Sequence, residues 1–120
     1  MPTLEIYKEF QFDAAHYLPL VPEDHKCRHM HGHTYRVLIT AKGHVNQDRG
    51  WVEDFGFLKL AWEPLSRQLD HKILNEVDGL ENPTAEHIAI WIWDRLISTI
   101  PGLHSVEVKE TPSSGAIYRG

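Results

Sequence analysis

His31 and His33 are separated by one glycine, with the lone Cys27 four residues upstream, and this stretch is the best equipped in the chain for chemistry. On an extended strand alternate side chains share a face, so the two imidazoles point the same way with their bases roughly 7 Å apart. One metal ion between them is within reach of both. Neutral imidazole suits zinc, which at catalytic sites takes three protein ligands and leaves one position open. A lone His-x-His is weak evidence, and by itself the pair is more often two solvated or hydrogen-bonded histidines. A third ligand must come from His16, His25 or His29. If His29, His31 and His33 lay on one straight strand, the outer two would stand about 13 Å apart, at or beyond the span of one ion. His16 fits better: it continues the even parity of Phe10, Phe12 and Ala14, and a hairpin with the next strand brings it beside His31.

Three further features carry chemical potential. Cys27 lies in the polar, basic setting Lys26-Cys27-Arg28, less suited to a small buried hydrophobe than to a reactive thiol. Asp70-His71 ends a helical stretch. Alone it reads as a terminal histidine favoured by the helix dipole, but together with Cys27 it completes the thiol, imidazole and carboxylate of an activated thiolate. Glu110 shares the inward parity of Val106 and Val108. A buried carboxylate needs a partner, either a structural Arg or Lys or a ligand edge with paired N–H donors such as an amino-pyrimidinone. The basic cluster His25, Lys26, Arg28 and His29 is a solvated loop or a receptor for a small anion.

The elements that must position these groups are legible as periodicities. Leu4, Ile6, Phe10 and Phe12 alternate as on a half-buried strand, with Lys8 the exception, and the odd positions from His31 to Ala41 repeat the pattern. Asn46 to Gly50 reads as a turn. Asp54 is a helix cap before the stripe Phe55, Leu58, Trp62, Leu65 and Leu69, which Pro64 is expected to kink or break near Glu63. A second helix begins at Asn82-Pro83-Thr84, capped by Asn82 or Thr84, and carries Ile88, Ile92, Leu96 and Thr99 until Pro101-Gly102. Ser105 to Thr111 alternates again, and Ala116 to Tyr118 follows a turn at Ser113-Ser114-Gly115. The order strand, strand, helix, helix, strand, strand predicts an α+β fold, a four-stranded antiparallel sheet with both helices on one face. Its two exposed edges need covering, and other copies of the chain are one way to cover them.

Composition bounds the function. With 120 residues, 42% hydrophobic and 24% charged, the chain reads as one domain over residues 1–120. A formal charge of −5 argues against a general nucleic-acid binder. No stretch approaches the roughly 18 apolar residues of a membrane helix, and the first ten residues lack a secretory layout. A single cysteine agrees with a reducing compartment, so a cytoplasmic location is expected.

Phe12-Asp13-Ala14-Ala15-His16, Cys27-x-x-x-His31-Gly32-His33, Asp70-His71, Asn82-Pro83-Thr84-Ala85-Glu86 and Lys109-Glu110-Thr111, taken together and in order, resemble the 6-pyruvoyl-tetrahydropterin synthase family over essentially the whole chain. Within it, length and spacing are most similar to the bacterial 6-carboxytetrahydropterin synthase branch of queuosine and 7-deazapurine biosynthesis. The resemblance implies that His16, His31 and His33 bind zinc, that Cys27, Asp70 and His71 form a catalytic triad, and that Glu110 anchors a pterin ring. It implies the tunnelling fold, in which three subunits join their sheets into a barrel, two trimers stack, and each triad is completed across a subunit interface. The substrate would be a pterin triphosphate, 7,8-dihydroneopterin triphosphate, with Lys26 and Arg28 as the candidates to contact its phosphates, the carboxy product as the first reading and the pyruvoyl product as the second. An aldolase branch of the family tends to carry glutamate where Cys27 stands. The bulky Arg28-His29-Met30 inside the cysteine motif departs from the pattern and bears on side-chain specificity. A non-catalytic zinc or pterin-binding module is the reading from another class. It predicts a closed four-ligand metal site, whereas three good ligands and a free thiol suit an open one.

Overall fold

The computed structural model describes residues 2–120. Strand β1 (Thr3–His16) and strand β2 (His31–His44) form a long antiparallel hairpin, β3 (Leu103–Thr111) pairs with β2, and β4 (Ser114–Tyr118) pairs with β3. Helices α1 (Phe55–Leu69) and α2 (Ala85–Leu96) intervene between β2 and β3 and pack on the sheet. This is the α+β arrangement the order of periodicities predicts.

Alternation decides which face is covered. Phe12 and Ala14 of β1, Tyr35, Val37 and Ile39 of β2, and Val106 and Val108 of β3 are buried against Leu58, Trp62, Leu65 and Leu69 of α1 and Ile88, Ile92 and Leu96 of α2. Phe12 stacks on Tyr35 with centroids 4.9 Å apart, and Phe10 on Trp62 at 5.3 Å. At one end of this apolar face the same parity continues into His16, His31, His33 and Glu110. The site is therefore the polar end of the core.

The helices begin where their caps stand. Asp54 accepts from the Gly56 N–H at 2.8 Å, and Thr84, rather than Asn82, accepts from the His87 N–H at 3.1 Å. Of the kink or break expected at Pro64, the break does not occur: α1 runs from Phe55 to Leu69 with Pro64 inside it. Pro64 and Leu60 both face solvent, so the Leu60 carbonyl that loses its helical partner lies on the wet side, where water satisfies it. Phe55 and Thr99, expected on the buried stripes, are exposed: Phe55 is the first residue of its helix, and Thr99 lies beyond the end of α2, where Ile100 is buried instead. The last turn is Pro112-Ser113, one residue earlier than predicted, and Gly115 lies inside β4. A Cβ at Gly115 would overlap the Val108 carbonyl, so no other residue fits that rung.

After α1 the chain turns onto the outer edge of β1. His71 takes φ 59°, a left-handed conformation that usually calls for glycine at a helix end. Its N–H donates to the Asp13 carbonyl at 2.6 Å, the Ala15 N–H donates to the Lys72 carbonyl at 3.0 Å, and Ile73 forms a parallel bridge with Ala15. Residues 71 to 73 thus cover the β1 edge beside the site.

Candidate active site

The strand register makes His16 the direct partner of His31 and Ala14 the partner of His33, so three imidazoles meet at one end of the hairpin. Ring centroids are 4.6 Å apart for His16 and His31, 5.1 Å for His16 and His33, and 4.9 Å for His31 and His33. One nitrogen from each lies within 4.8 Å of the others. His25 and His29 take no part: His25 Nδ1 accepts from the Cys27 N–H at 3.0 Å, and His29 contributes only its carbonyl.

Backbone carbonyls decide which nitrogens face inward. A carbonyl only accepts, so the 2.8 Å contact between His16 Nδ1 and the Pro83 carbonyl places a proton on Nδ1 and leaves Nε2 with a lone pair. The 2.7 Å contact from His31 Nδ1 to the His29 carbonyl does the same. Tyr35, fully buried, brings its hydroxyl to 3.1 Å from His16 Nδ1, and burial pushes its phenol well above the ordinary range. His16 Nε2 and His33 Nε2 are buried without hydrogen-bond partners. Glu110 Oε1 stands 3.3 Å from the first and 3.7 Å from the second. The inward Nε2 lone pairs of His16 and His31 and the Glu110 carboxylate repel one another unless something positive sits among them. Protonating the rings is opposed, because burial holds both His16 and His33 below the usual histidine range despite the attraction of Glu110. The donor set therefore fits a metal cation, and the carbonyl-fixed Nδ1 atoms are the outer contacts that orient metal-binding imidazoles.

A cavity of about 480 Å³ opens onto this cluster, lined by Lys26, Cys27, His31, His33, Glu110, Thr111 and Ser114. Cys27 sits half-buried on a single turn of 3-10 helix, Lys26–Arg28, as a free thiol. Lys26 lines the cavity, whereas Arg28 donates from Nη1 to the Val21 carbonyl at 3.0 Å and secures the loop. Thr111 Oγ1 and Ser114 Oγ are 2.5 Å apart at the cavity wall; the sequence offered Thr111 only within the Lys109-Glu110-Thr111 motif and Ser114 only as a turn residue.

Asp70 and His71 lie elsewhere. The Asp70 carboxylate bonds His71 Nδ1 at 3.0 Å and accepts the Asp13 N–H at 3.0 Å; the backbone bond first, and His71 second, hold it below the usual carboxylate range. Asp13 in turn accepts from Thr34 Oγ1 at 2.5 Å. His71 lines a different cavity, about 550 Å³, with Asp13, Thr34, Lys72 and Ile73, which meets the histidine cluster only at His33, and its side chain is 78% exposed. One copy of the chain thus brings the thiol to the histidine cluster and presents the Asp70-His71 pair outward. Tyr35 and Pro83 are further site residues that sequence reasoning missed. Tyr35 shares the parity of the histidines, and a buried phenol must find a partner, so a signal existed; a backbone carbonyl 67 positions from its partner leaves none.

With this geometry in view, the relatives of the chain are informative. Residues 5–120 match the family model described as 6-pyruvoyl tetrahydropterin synthase. The chain belongs to this family. It is 47% identical to the 6-carboxy-5,6,7,8-tetrahydropterin synthase of Synechocystis over 94% of the chain and 91% of the relative. It is 35% identical to the dihydroneopterin monophosphate aldolase of Pyrococcus furiosus over 76% and 73% of the two chains. The structure of Caenorhabditis elegans 6-pyruvoyl tetrahydropterin synthase superposes with a TM-score of 0.90 at 26% identity, covering 100% of this chain and 97% of the other. The family's fold matches the four-stranded sheet and two helices seen here, and no helix among the described residues is long and apolar enough to cross a membrane.

Proposed function

We propose that the chain is a carbon–carbon lyase that converts 7,8-dihydroneopterin triphosphate and water to 6-carboxy-5,6,7,8-tetrahydropterin, acetaldehyde and triphosphate, in the pathway to queuosine and other 7-deazapurines. The observation that carries the reading is the convergence of His16, His31 and His33, with two buried Nε2 atoms lacking partners, on a cavity that also holds Cys27 and Glu110. The 47% identity over nearly the whole chain favours the carboxy product over the other reactions of the family.

His16, His31 and His33 would hold a zinc ion through Nε2. Zinc bound there supplies a Lewis acid for the side-chain hydroxyls of the substrate and lowers the energy of the oxyanion that develops on them. The remaining steps belong to the chain. Glu110, at the cavity wall beside the cluster, accepts the paired N–H groups of the amino-pyrimidinone edge and so orients the ring. Lys26 faces the triphosphate; Arg28, tied to Val21, contributes through the loop unless substrate draws it away. Cys27 takes a proton from the side-chain carbon next to the ring and redelivers it, and His71, oriented by Asp70, relays it from a neighbouring copy in a homo-oligomer, trimer or dimer of trimers, because within one copy the pair faces another cavity.

The pyruvoyl reading differs by one step. Adding water across the bond between the two side-chain carbonyls of a pyruvoyl pterin, with cleavage of that bond, yields the carboxypterin and acetaldehyde. Incubating zinc-loaded protein with 7,8-dihydroneopterin triphosphate and assaying acetaldehyde alongside the pterin mass separates the two. Acetaldehyde appearing in step with carboxypterin is the expected outcome. A pyruvoyl pterin without acetaldehyde overturns the carboxy reading, and no turnover by the zinc-loaded oligomer overturns both.

A further inference from the structure

The end of β1 is held by a residue that neither the sequence reading nor the chemistry above has used. Along the outer edge of β1 the rungs fall at alternate positions: Asp13 accepts from His71, and Ala15 donates to Lys72. The next rung, at Tyr17, is made by a side chain. Asn75 Oδ1 accepts the Tyr17 N–H at 3.0 Å, and Asn75 Nδ2 donates to the Tyr17 carbonyl at 2.8 Å, so one carboxamide replaces a backbone partner in both directions. The replacement is needed because the chain leaves the ladder here, turning into the 3-10 turn Leu74–Glu76. The same Nδ2 lies 3.5 Å from the Glu81 carbonyl, a longer contact to the segment that ends in Pro83.

These bonds bracket His16. Tyr17 follows it directly, and Glu81 stands two residues before the Pro83 carbonyl that fixes its Nδ1 proton. At the last residue of a strand the backbone frays unless both sides are tied, and His16 is tied on the inner side through its pairing with His31. We propose that Asn75 is a positioning residue for His16: its carboxamide sets the distance between the His16 backbone and the Pro83 carbonyl, and so holds Nε2 aimed at the other two histidine nitrogens. The inference rests on the reading of His16, His31 and His33 as metal ligands. It assigns Asn75 no contact with metal or substrate.

Zinc affinity of the intact protein, measured by competition with a chromophoric chelator, tests this without reference to activity. Asn75→Leu removes both hydrogen bonds of this rung at similar volume and is expected to weaken zinc binding by about 10-fold, the low end of the 10- to 100-fold cost of losing a direct outer contact of a metal ligand. Asn75→Asp keeps the acceptor for the Tyr17 N–H, loses the donor, and should fall between Leu and wild type; it decides alone if the Leu variant does not fold. Asp54→Ala, which removes the α1 cap far from the site, controls for general destabilisation and should keep wild-type affinity. Wild-type affinity in the folded Asn75 variants overturns the proposal, as does an equal loss in Asp54→Ala. Wild-type protein that takes up no zinc overturns the metal reading and the positioning role with it, whereas failure in the variants alone leaves the metal reading standing.

Discussion

At the scale of single residues, the thiol and the carboxylate of the proposed triad make separable predictions. Cys27 touches the cavity but makes no contact that shapes the histidine cluster. Cys27→Ala should therefore lower kcat by about 10²- to 10⁴-fold, the usual contribution of a positioned proton-transfer group, while zinc content and pterin binding stay at wild-type levels. Near-wild-type turnover would remove the thiol from the mechanism. Asp70 speaks to stability. Its carboxyl is held below the ordinary range by the Asp13 N–H and by His71, so the folded state binds its proton less readily than the unfolded chain does. A depressed carboxylate stabilises the fold above the unfolded value of about 3.9 and loses that contribution as pH falls through the lower folded value. Asp70→Asn keeps an acceptor for the Asp13 N–H and removes the charge. The melting-temperature gap between wild type and this variant should be constant at neutral pH and close below about pH 4. With the Asp70 side chain 41% exposed, solvent screening keeps the gap small. A gap that persists unchanged into acid would mean that the charge plays no part.

At the scale of elements, the hairpin and the segment after α1 show what strand parity does and does not reveal. The parity of β1 and β2 places His16, His31 and His33 on the core face, and hairpin pairing then puts His16 beside His31, as the register bears out. Parity also turns Glu110 inward with Val106 and Val108, where it meets two of the histidines rather than a structural Arg or Lys. Periodicity reports a face and stays silent on which distant segment will lie against it. The course of residues 71 to 83 from the β1 edge to the histidine cluster, which delivers the His71-Asp13 backbone bond, the Asn75 carboxamide and the Pro83 carbonyl, was therefore not legible. His71 marks where that course begins. Its left-handed backbone costs a non-glycine residue about 1 kcal/mol, a cost that the proposed proton relay through this imidazole would account for. His71→Gly should leave stability unchanged or raise it by up to about 1 kcal/mol while turnover collapses. Denaturant unfolding beside a rate assay checks both halves, and a variant less stable than wild type by more than the exposed Asp70 pair is worth would contradict the account of strain.

At the scale of the whole molecule, one copy of the chain looks incomplete. Its principal extents are 57 × 23 × 22 Å, and its radius of gyration of 15.7 Å exceeds the roughly 14 Å typical of a compact chain this long. The sheet carries helices on one face only, with Tyr7 and Ile117 exposed on the other. The β1 edge is covered only beside the site, and β4 pairs on one side only, so both edges are open to strand pairing with further copies. Under the proposed function, such assembly would let Cys27 and His71, on different cavities of one copy, serve one reaction, each site taking its thiol from one subunit and its imidazole from the next. Complementation distinguishes this from a site contained in one chain. Cys27→Ala and His71→Ala are each expected to be inactive. When equal amounts are unfolded and reassembled together, a site is intact when its thiol comes from a His71→Ala subunit and its imidazole from a Cys27→Ala subunit. Random mixing meets both conditions at about one half times one half, or roughly a quarter, of the sites. Activity recovering to about that fraction of wild type, with separately reassembled variants still inactive, is the expected result. If the triad lay within one chain, no mixed assembly could restore an intact site, and the mixture would remain as inactive as its components.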